Sequence, residues 1–115
     1  MTLITIKKRS EFLRSNKFSK KIHTTHFIIQ KLVSTKNDNI PHFGFTITKK
    51  IGSAIVRNKI KRRLKSIIRE LLKYRDKYFE LSFNYILICK KEIVKVSYDD
   101  LENELMDNFK SNRVS

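Results

Sequence analysis

The chain has 115 residues, of which 40% are hydrophobic, 32% are charged, two are Gly and one is Pro. This composition predicts one globular domain spanning 1–115 and excludes collagen-like and low-complexity chains. Its 26 Lys and Arg residues against 11 Asp and Glu residues give a net charge of +15 and a pI near 10.2. A field of this sign attracts polyanions, so nucleic acid is the expected partner, whereas an enzyme for small neutral substrates would gain little from such self-repulsion.

The single cysteine, Cys89, excludes an internal disulfide and any cysteine-rich zinc site. It lies in the apolar run "NYILICK", which favours a small core residue of a reduced protein over a reactive thiol. The N-terminal "MTLITIKKRSEF" has no apolar stretch of signal-peptide length, and no run approaches the roughly 20 apolar residues of a membrane span. These features predict a cytoplasmic protein.

The first predicted elements are a short helix and two strands. Residues 10–18 favour the helix, because the serine that begins them can cap it. Residues 25–34 and 42–48 are rich in β-branched and aromatic side chains, and the turn residues "TKNDNIP" between them predict a hairpin. Along 42–48, large apolar residues alternate with small ones that include Thr46 and Thr48, which predicts one buried face and one small polar face open to water or a ligand.

The second half of the chain contains a long helix, a strand and a last helix. Residues 53–73 predict the long helix, with Ser53 as its N-cap. Residues 83–90 are almost continuously apolar, which indicates a central strand. Ser97 opens the last helix, whose first turn holds two aspartates. The order α–β–β–α–β–α predicts an α+β sandwich of one sheet with helices.

The long helix has two different faces on a wheel of about 100° per residue. The apolar stripe expected to pack on the sheet consists of Ile60, Leu64, Ile67, Ile68 and Leu71. The adjoining arc, called here the cationic face, consists of Arg57, Asn58, Lys61, Arg62, Lys65 and Arg69. The chain has no acid between Asp38 and Glu70, so like charges four residues apart on this face repel by a few tenths of a kcal/mol.

Two interpretations of the cationic face are open. A merely solvated face would carry mixed signs and Glu–Lys pairs, which are missing here. A phosphate-binding face tolerates the repulsion because a bound polyanion relieves it, helped by Lys49 and Lys50 and by free N–H groups near Ser53. The preceding "TKKIGSAIVRN" lacks the G-x-x-x-x-G-K-[ST] spacing of a P-loop, which argues against a nucleotide site.

A sequence signature runs through the start of this helix. Its positions are Ile51, Ala54, Arg57, Asn58, Lys59, Ile60, Lys61, Arg62, Leu64 and Lys65. In type and order they closely resemble the signature of the protein subunit of bacterial ribonuclease P, the ribonucleoprotein that removes the 5′ leader from precursor tRNA. The chain length, the high pI, "EFLRSNKF" near the N-terminus and "YILICK" agree with this family, so the resemblance covers essentially the whole chain.

The resemblance implies a specific α+β fold. It is a single four-stranded, mostly antiparallel sheet with three helices in the order α-β-β-β-α-β-α, ribosomal S5 domain 2-like. One more strand is then needed, and "SKKIH" (19–23) is its expected place. The family also implies a left-handed β-α-β crossover through the basic helix, although most such connections are right-handed.

The resemblance further implies two RNA-binding surfaces. The basic helix and its preceding loop meet the catalytic RNA, through Lys49, Lys50, Arg57, Asn58, Lys59, Lys61, Arg62, Lys65 and Arg69. A cleft between the N-terminal helix and the sheet holds the single-stranded leader, and is lined by Phe12, Phe18, Gln30, Thr46, Thr48 and Lys50. Asn16 and Gln30 stand where many members have rings, which predicts weaker base stacking and leaves Phe18 as a substitute ring. Simple packing onto the core is the alternative role for Phe12.

No nuclease site is found in the sequence. His23, His26 and His42 have no carboxylates spaced to complete a metal cage, and no acidic cluster adjoins the cationic face to hold Mg²⁺. This agrees with the family, in which the RNA supplies the active site and holds the Mg²⁺. The implied partners are the catalytic RNA and precursor tRNA, without DNA, a membrane or a cofactor bound by the protein alone.

Three other functions remain as alternatives. A ribosomal-type RNA-binding protein or RNA chaperone would share the fold and the charge. A helix-turn-helix DNA binder needs a helix shortly before the basic one, where strand-like "HFGFTIT" stands instead. A protein-only nuclease would need carboxylates that the sequence does not place near the cations.

Overall fold

The computed structural model describes residues 4–5, 20–33, 40–80 and 83–111. Its strands are β1 (Ile4–Thr5), β2 (Lys20–His23), β3 (Phe27–Val33), β4 (His42–Thr46) and β5 (Phe83–Cys89). Its helices are α1 (Ala54–Leu72), the single turn α2 (Arg75–Tyr78), a 3₁₀ helix (Lys91–Lys95) and α3 (Tyr98–Ser111). The helix predicted over 10–18 lies outside the described residues.

The strands form one sheet in the order β1-β4-β5-β3-β2. β3 is antiparallel to both β2 and β5, whereas β4 is parallel to β5. The four expected strands are therefore present with mostly antiparallel pairing, which confirms the predicted α+β fold. β2 is the strand expected near 19–23. The two-residue β1 adds a parallel edge to β4 that the sequence did not predict.

The hairpin predicted between 25–34 and 42–48 is wrong, because β5 lies between the two strands. Leu87 of β5 pairs with β3 on one side and with β4 on the other. The hairpin that does form joins β2 to β3, and the Oγ1 of Thr24 accepts a hydrogen bond from the Phe27 backbone N–H at 3.1 Å. β5 is apolar on both faces, so a central position buries the most surface and outweighs pairing of sequence neighbours.

The start of α1 agrees with the prediction. The Oγ of Ser53 accepts from the backbone N–H of Val56 at 3.4 Å, and α1 begins at the next residue. Gly52 has a φ of +156°, and a Cβ at this position would lie 3.2 Å from the Val56 side chain. The strand-to-helix turn therefore favours glycine, because the positive φ strains any other residue and a Cβ would also force the Val56 side chain to shift.

One face of the sheet carries the main core, under α1 and α3. The apolar stripe of α1 is buried as predicted. The Phe79 ring lies 5.1 Å from Phe43 and 4.8 Å from Phe109, both in edge-on geometry. Cys89 belongs to this core at 8% exposure, and burial raises the pKa of its thiol to about 12. A thiol so protonated is a poor nucleophile, which confirms the core interpretation.

The opposite face of the sheet is buried in part. Leu32 and Ile86 are buried there, away from the α1 core. β5 is thus enclosed on both sides, as its almost continuous apolar character requires. Within the described ranges, no helix has the length and apolar character to cross a membrane.

Candidate nucleic-acid interface

The cationic face of α1 is largely accessible to solvent. Asn58, Lys61, Arg62 and Arg69 are exposed, as is the neighbouring Lys59, whereas Arg57 and Lys65 are half-buried. The first turn of α1 contains no acid. The one acid in α1, Glu70, lies near its other end and binds Lys73 at 3.1 Å. The fold therefore presents an array of positive charge at the end of α1 where the macrodipole is also positive.

A small pocket of about 150 Å³ opens beside the first turns of α1. It is lined by two apolar side chains, Phe45 and Ile47, and by three polar side chains of the cationic face, Arg57, Asn58 and Lys61. The Nε of Arg57 is buried and has no hydrogen-bond acceptor among the described residues. A buried donor left without an acceptor costs about 1–3 kcal/mol. Because guanidinium groups pair best with phosphate or carboxylate oxygens, the pocket suits an anionic ligand.

The turn between β4 and α1 adds two more cations. The backbone N–H of Ile51 donates to the Thr48 carbonyl at 3.0 Å, and the buried Ile51 side chain anchors this turn in the core. Lys49 and Lys50 lie in the turn and are exposed. The turn thus brings two ammonium groups to the positive end of α1, which extends the predicted RNA-binding surface.

The predicted leader cleft is described only in part, since Phe12, Asn16 and Phe18 lie outside the described residues. Gln30 is 2% exposed, so its side chain offers little surface for a ligand. The strand register places Gln30 and Thr46 on the sheet face opposite α1.

The polar face of β4 and the residues that follow it was predicted to be accessible. It is buried at the start of β4 and becomes accessible toward the end of β4. Gly44 is buried, Thr46 is half-buried, and Thr48 and Lys50 are exposed. Accessible surface therefore increases toward the end of β4.

Two of the three histidines make contacts within the fold, and the third lies at the surface. The Nδ1 of His26 lies 2.6 Å from the Glu104 Oε2 and ties the β2–β3 turn to α3. His42 is buried, and its backbone N–H donates to the Asn84 side chain at 3.1 Å. His23 is exposed on β2. Among the described residues, no three His, Cys, Asp or Glu side chains are grouped in a way that could hold a metal ion.

Phe45 and Ile47 are two of the large apolar residues whose alternation along 42–48 predicted a buried face, but both line the pocket beside the cationic face. Their half-burial follows from their place near the end of β4, where the chain leaves the sheet core. The signal in the sequence was an alternating strand that runs directly into two lysines and a basic helix. The missed feature was that two apolar side chains line a pocket together with these cations.

Comparisons with known proteins agree with one another. The model of the family described as Ribonuclease P matches residues 2–112. A ribonuclease P protein component from Geobacter sp. (strain M21) is 33% identical over 102 residues, which cover 89% of this chain and 82% of the relative. One from Syntrophus aciditrophicus (strain SB) is 36% identical over 100 residues, covering 87% and 79%.

Solved structures show the same likeness. The superposition on the RNase P protein of Staphylococcus aureus, which is 26% identical, covers 98% of each chain with a TM-score of 0.79. That of Thermotoga maritima, at 20% identity, covers 96% of this chain and 98% of its own with a TM-score of 0.80, which supports the fold alone.

Proposed function

This chain belongs to the ribonuclease P protein family, and we propose that it acts as the RNA-binding protein subunit in endonucleolytic removal of the 5′ leader from precursor tRNA. Ribonuclease P is an endoribonuclease made of RNA and protein. The proposed partners are its catalytic RNA and precursor tRNA, in the cytoplasm. The proposed division of labour leaves catalysis and Mg²⁺ to the RNA, and gives phosphate binding to the protein.

The observation that carries the proposal is the pocket that Arg57, Asn58 and Lys61 of the cationic face line together. A guanidinium and an ammonium in one pocket favour a phosphate, because each adds a charge-assisted hydrogen bond to its oxygens. Asn58 adds an amide between these two cations, so the three side chains can hold one RNA segment together.

The other cations of α1 and of the turn before it extend this contact along an RNA backbone. Each phosphate that a Lys or Arg neutralises releases condensed counterions, which makes affinity fall with salt by about 0.7–0.9 log units per log unit for each contact. Lys61, Arg62 and Lys65 are the proposed contacts to the catalytic RNA, with Lys49, Lys50, Lys59 and Arg69 at the edges. Such neutralisation also replaces part of the Mg²⁺ that two closely packed RNAs otherwise require.

The 5′ leader is proposed to follow the end of β4 on the face opposite α1. Thr46, Thr48 and Lys50 form its described wall. None of these three side chains has an aromatic ring, which favours contact with the RNA backbone over base stacking. The resemblance adds Phe12 and Phe18 as the rings of this cleft. Gln30 is then a buried part of the floor.

Reconstitution tests the proposal directly. Purified protein is mixed with a bacterial ribonuclease P RNA and precursor tRNA at low Mg²⁺, where phosphate neutralisation limits assembly. We expect the protein to accelerate leader removal, and to do so less as Mg²⁺ rises. RNA-free protein should cleave nothing. If the protein binds RNA without accelerating cleavage, the ribosomal-type or chaperone alternative replaces this function.

A further inference from the structure

Tyr74 is a large aromatic side chain that the fold leaves outside the core. It lies in the turn between α1 and α2 and is 64% exposed. Its backbone N–H donates to the Leu71 carbonyl at 3.0 Å, and its carbonyl accepts from the Lys77 N–H at 2.9 Å. The ring is therefore presented to solvent from a turn whose backbone is hydrogen-bonded on both sides.

The surface around this ring, called here the Tyr74 pocket, is an open, shallow depression that is rich in cations. It has a volume of about 310 Å³ and is lined by Lys73, Tyr74, Arg75, Asp76 and Lys77. A ring beside Lys and Arg is the combination by which proteins hold single-stranded nucleic acid, since the base stacks on the ring and the cations take the phosphates.

A row of exposed cations connects this pocket to the cationic face. Arg69 follows Arg62 by seven residues and Lys73 follows Arg69 by four, so all three lie on one side of α1. The row extends about 16 Å along the helix axis. Lys73 is paired with Glu70, but both side chains are more than half exposed, and such a pair exchanges readily for a phosphate. Positive charge thus continues from the proposed interface to the Tyr74 pocket.

We propose that Tyr74 is a second RNA contact, which stacks on an unpaired base of an RNA strand that follows the cation row along α1. Arg75 and Lys77 neutralise the phosphates on either side of that base. The inference rests on the proposed function, because it takes RNA as the partner of α1. Charge selects RNA over a protein partner here, since three of the five residues that line the pocket are cations and the chain carries +15.

The chain contains no tryptophan, so Tyr74→Trp places a single indole in the pocket as a fluorescent reporter. Stacking on a base quenches indole emission. Three titrations distinguish the sources of the base: ribonuclease P RNA, precursor tRNA and a single-stranded leader oligonucleotide. We expect saturable quenching in at least one of them. The matched control is Val94→Trp in the 3₁₀ helix, also at an exposed position, which should not be quenched. Equal quenching of both variants, or of neither, overturns the inference.

The affinity for whichever RNA quenches the indole is then measured for two other substitutions of Tyr74. Tyr74→Phe keeps the ring and should bind within twofold of wild type. Tyr74→Ala removes it and should bind about 5- to 150-fold more weakly, the range expected for loss of one stacked base. Melting temperatures of both variants show whether the fold is retained, which the exposed position favours.

Arg62→Ala serves as the reference for the proposed function. If Arg62→Ala loses RNA affinity while Tyr74→Ala does not, the second contact is wrong and the proposed function stands. If neither loses affinity, the cationic face itself is not an RNA site. A change in sedimentation of Tyr74→Ala without a change in RNA affinity identifies the ring as a protein contact and also overturns the inference.

Discussion

The two long helices, α1 and α3, pack on the same face of the sheet but begin in opposite ways. α3 is capped by Ser97, whose Oγ accepts from the Asp100 backbone N–H at 3.1 Å, and its first turn contains two aspartates. α1 is capped by Ser53 and has no acid in its first turn, where Arg57 follows instead. α3 therefore follows the electrostatic preference of a stable isolated helix, whereas α1 gives up that stabilisation and gains an anion-binding surface. Four sets of substitutions test this contrast, from the largest expected effect to the smallest.

Leu64→Ala tests the packing side of α1. Leu64 is fully buried, so its truncation should lower the free energy of unfolding by about 2–5 kcal/mol. Denaturant unfolding measures the loss. RNA affinity of the protein that remains folded should change little, because Leu64 belongs to the buried apolar stripe of α1 and not to the cationic face. A large fall in affinity with unchanged stability would contradict the two-faced description of α1.

Arg57→Met separates stability from binding within one residue. It removes the unpaired buried Nε, so the free energy of unfolding should stay the same or rise. RNA affinity should fall by about 10- to 100-fold, which corresponds to loss of a charge-assisted hydrogen bond. Arg57→Lys is the matched control and should be intermediate, because it retains the charge without the guanidinium. The proposed pocket contact is wrong if Arg57→Met destabilises the fold and binds RNA normally.

Arg62→Ala and Lys61→Ala test the phosphate contacts of the cationic face. Each should weaken RNA binding and reduce the slope of log affinity against log salt by about one unit. Filter binding or fluorescence anisotropy between low and moderate salt measures the slope. Lys110→Ala removes an exposed lysine near the end of α3 and should leave the slope close to that of wild type. Identical slopes for wild type and Arg62→Ala would argue against a phosphate role.

Ile55→Glu gives α1 the acidic first turn that α3 already has. Ile55 is 80% exposed, so the new carboxylate should raise the free energy of unfolding by about 0.3–1 kcal/mol at low salt. The same charge should weaken RNA binding. Asp99→Asn is the mirror experiment on α3, and should lower stability by a similar amount without any effect on RNA. If Ile55→Glu improves stability and leaves RNA affinity undiminished, the proposal that α1 gives up helix stability in order to bind RNA is wrong.

Local features of this fold were predictable, while one pairing of strands was not. Capping by Ser53 and Ser97 and the buried stripe of α1 depend on residues within a few positions of one another. The predicted hairpin between 25–34 and 42–48 was wrong because both strands pair with β5, which lies much later in the chain, beyond α1. The sequence of the turn between those strands contains no signal that a later strand will pair with both of them.

The candidate site divides in the same way. The sequence by itself determined the positive charge of the cationic face, the spacing of its residues and the family to which the chain belongs. The spacing follows because helical periodicity places Arg57, Lys61 and Lys65 on one side of α1. Only the tertiary structure decided that the Nε of Arg57 is buried beside Phe45, and that Tyr74 stands outside the core. Burial depends on which distant segments meet, so a pattern of neighbouring residues can specify a helix face but cannot specify which of its polar atoms lose contact with water.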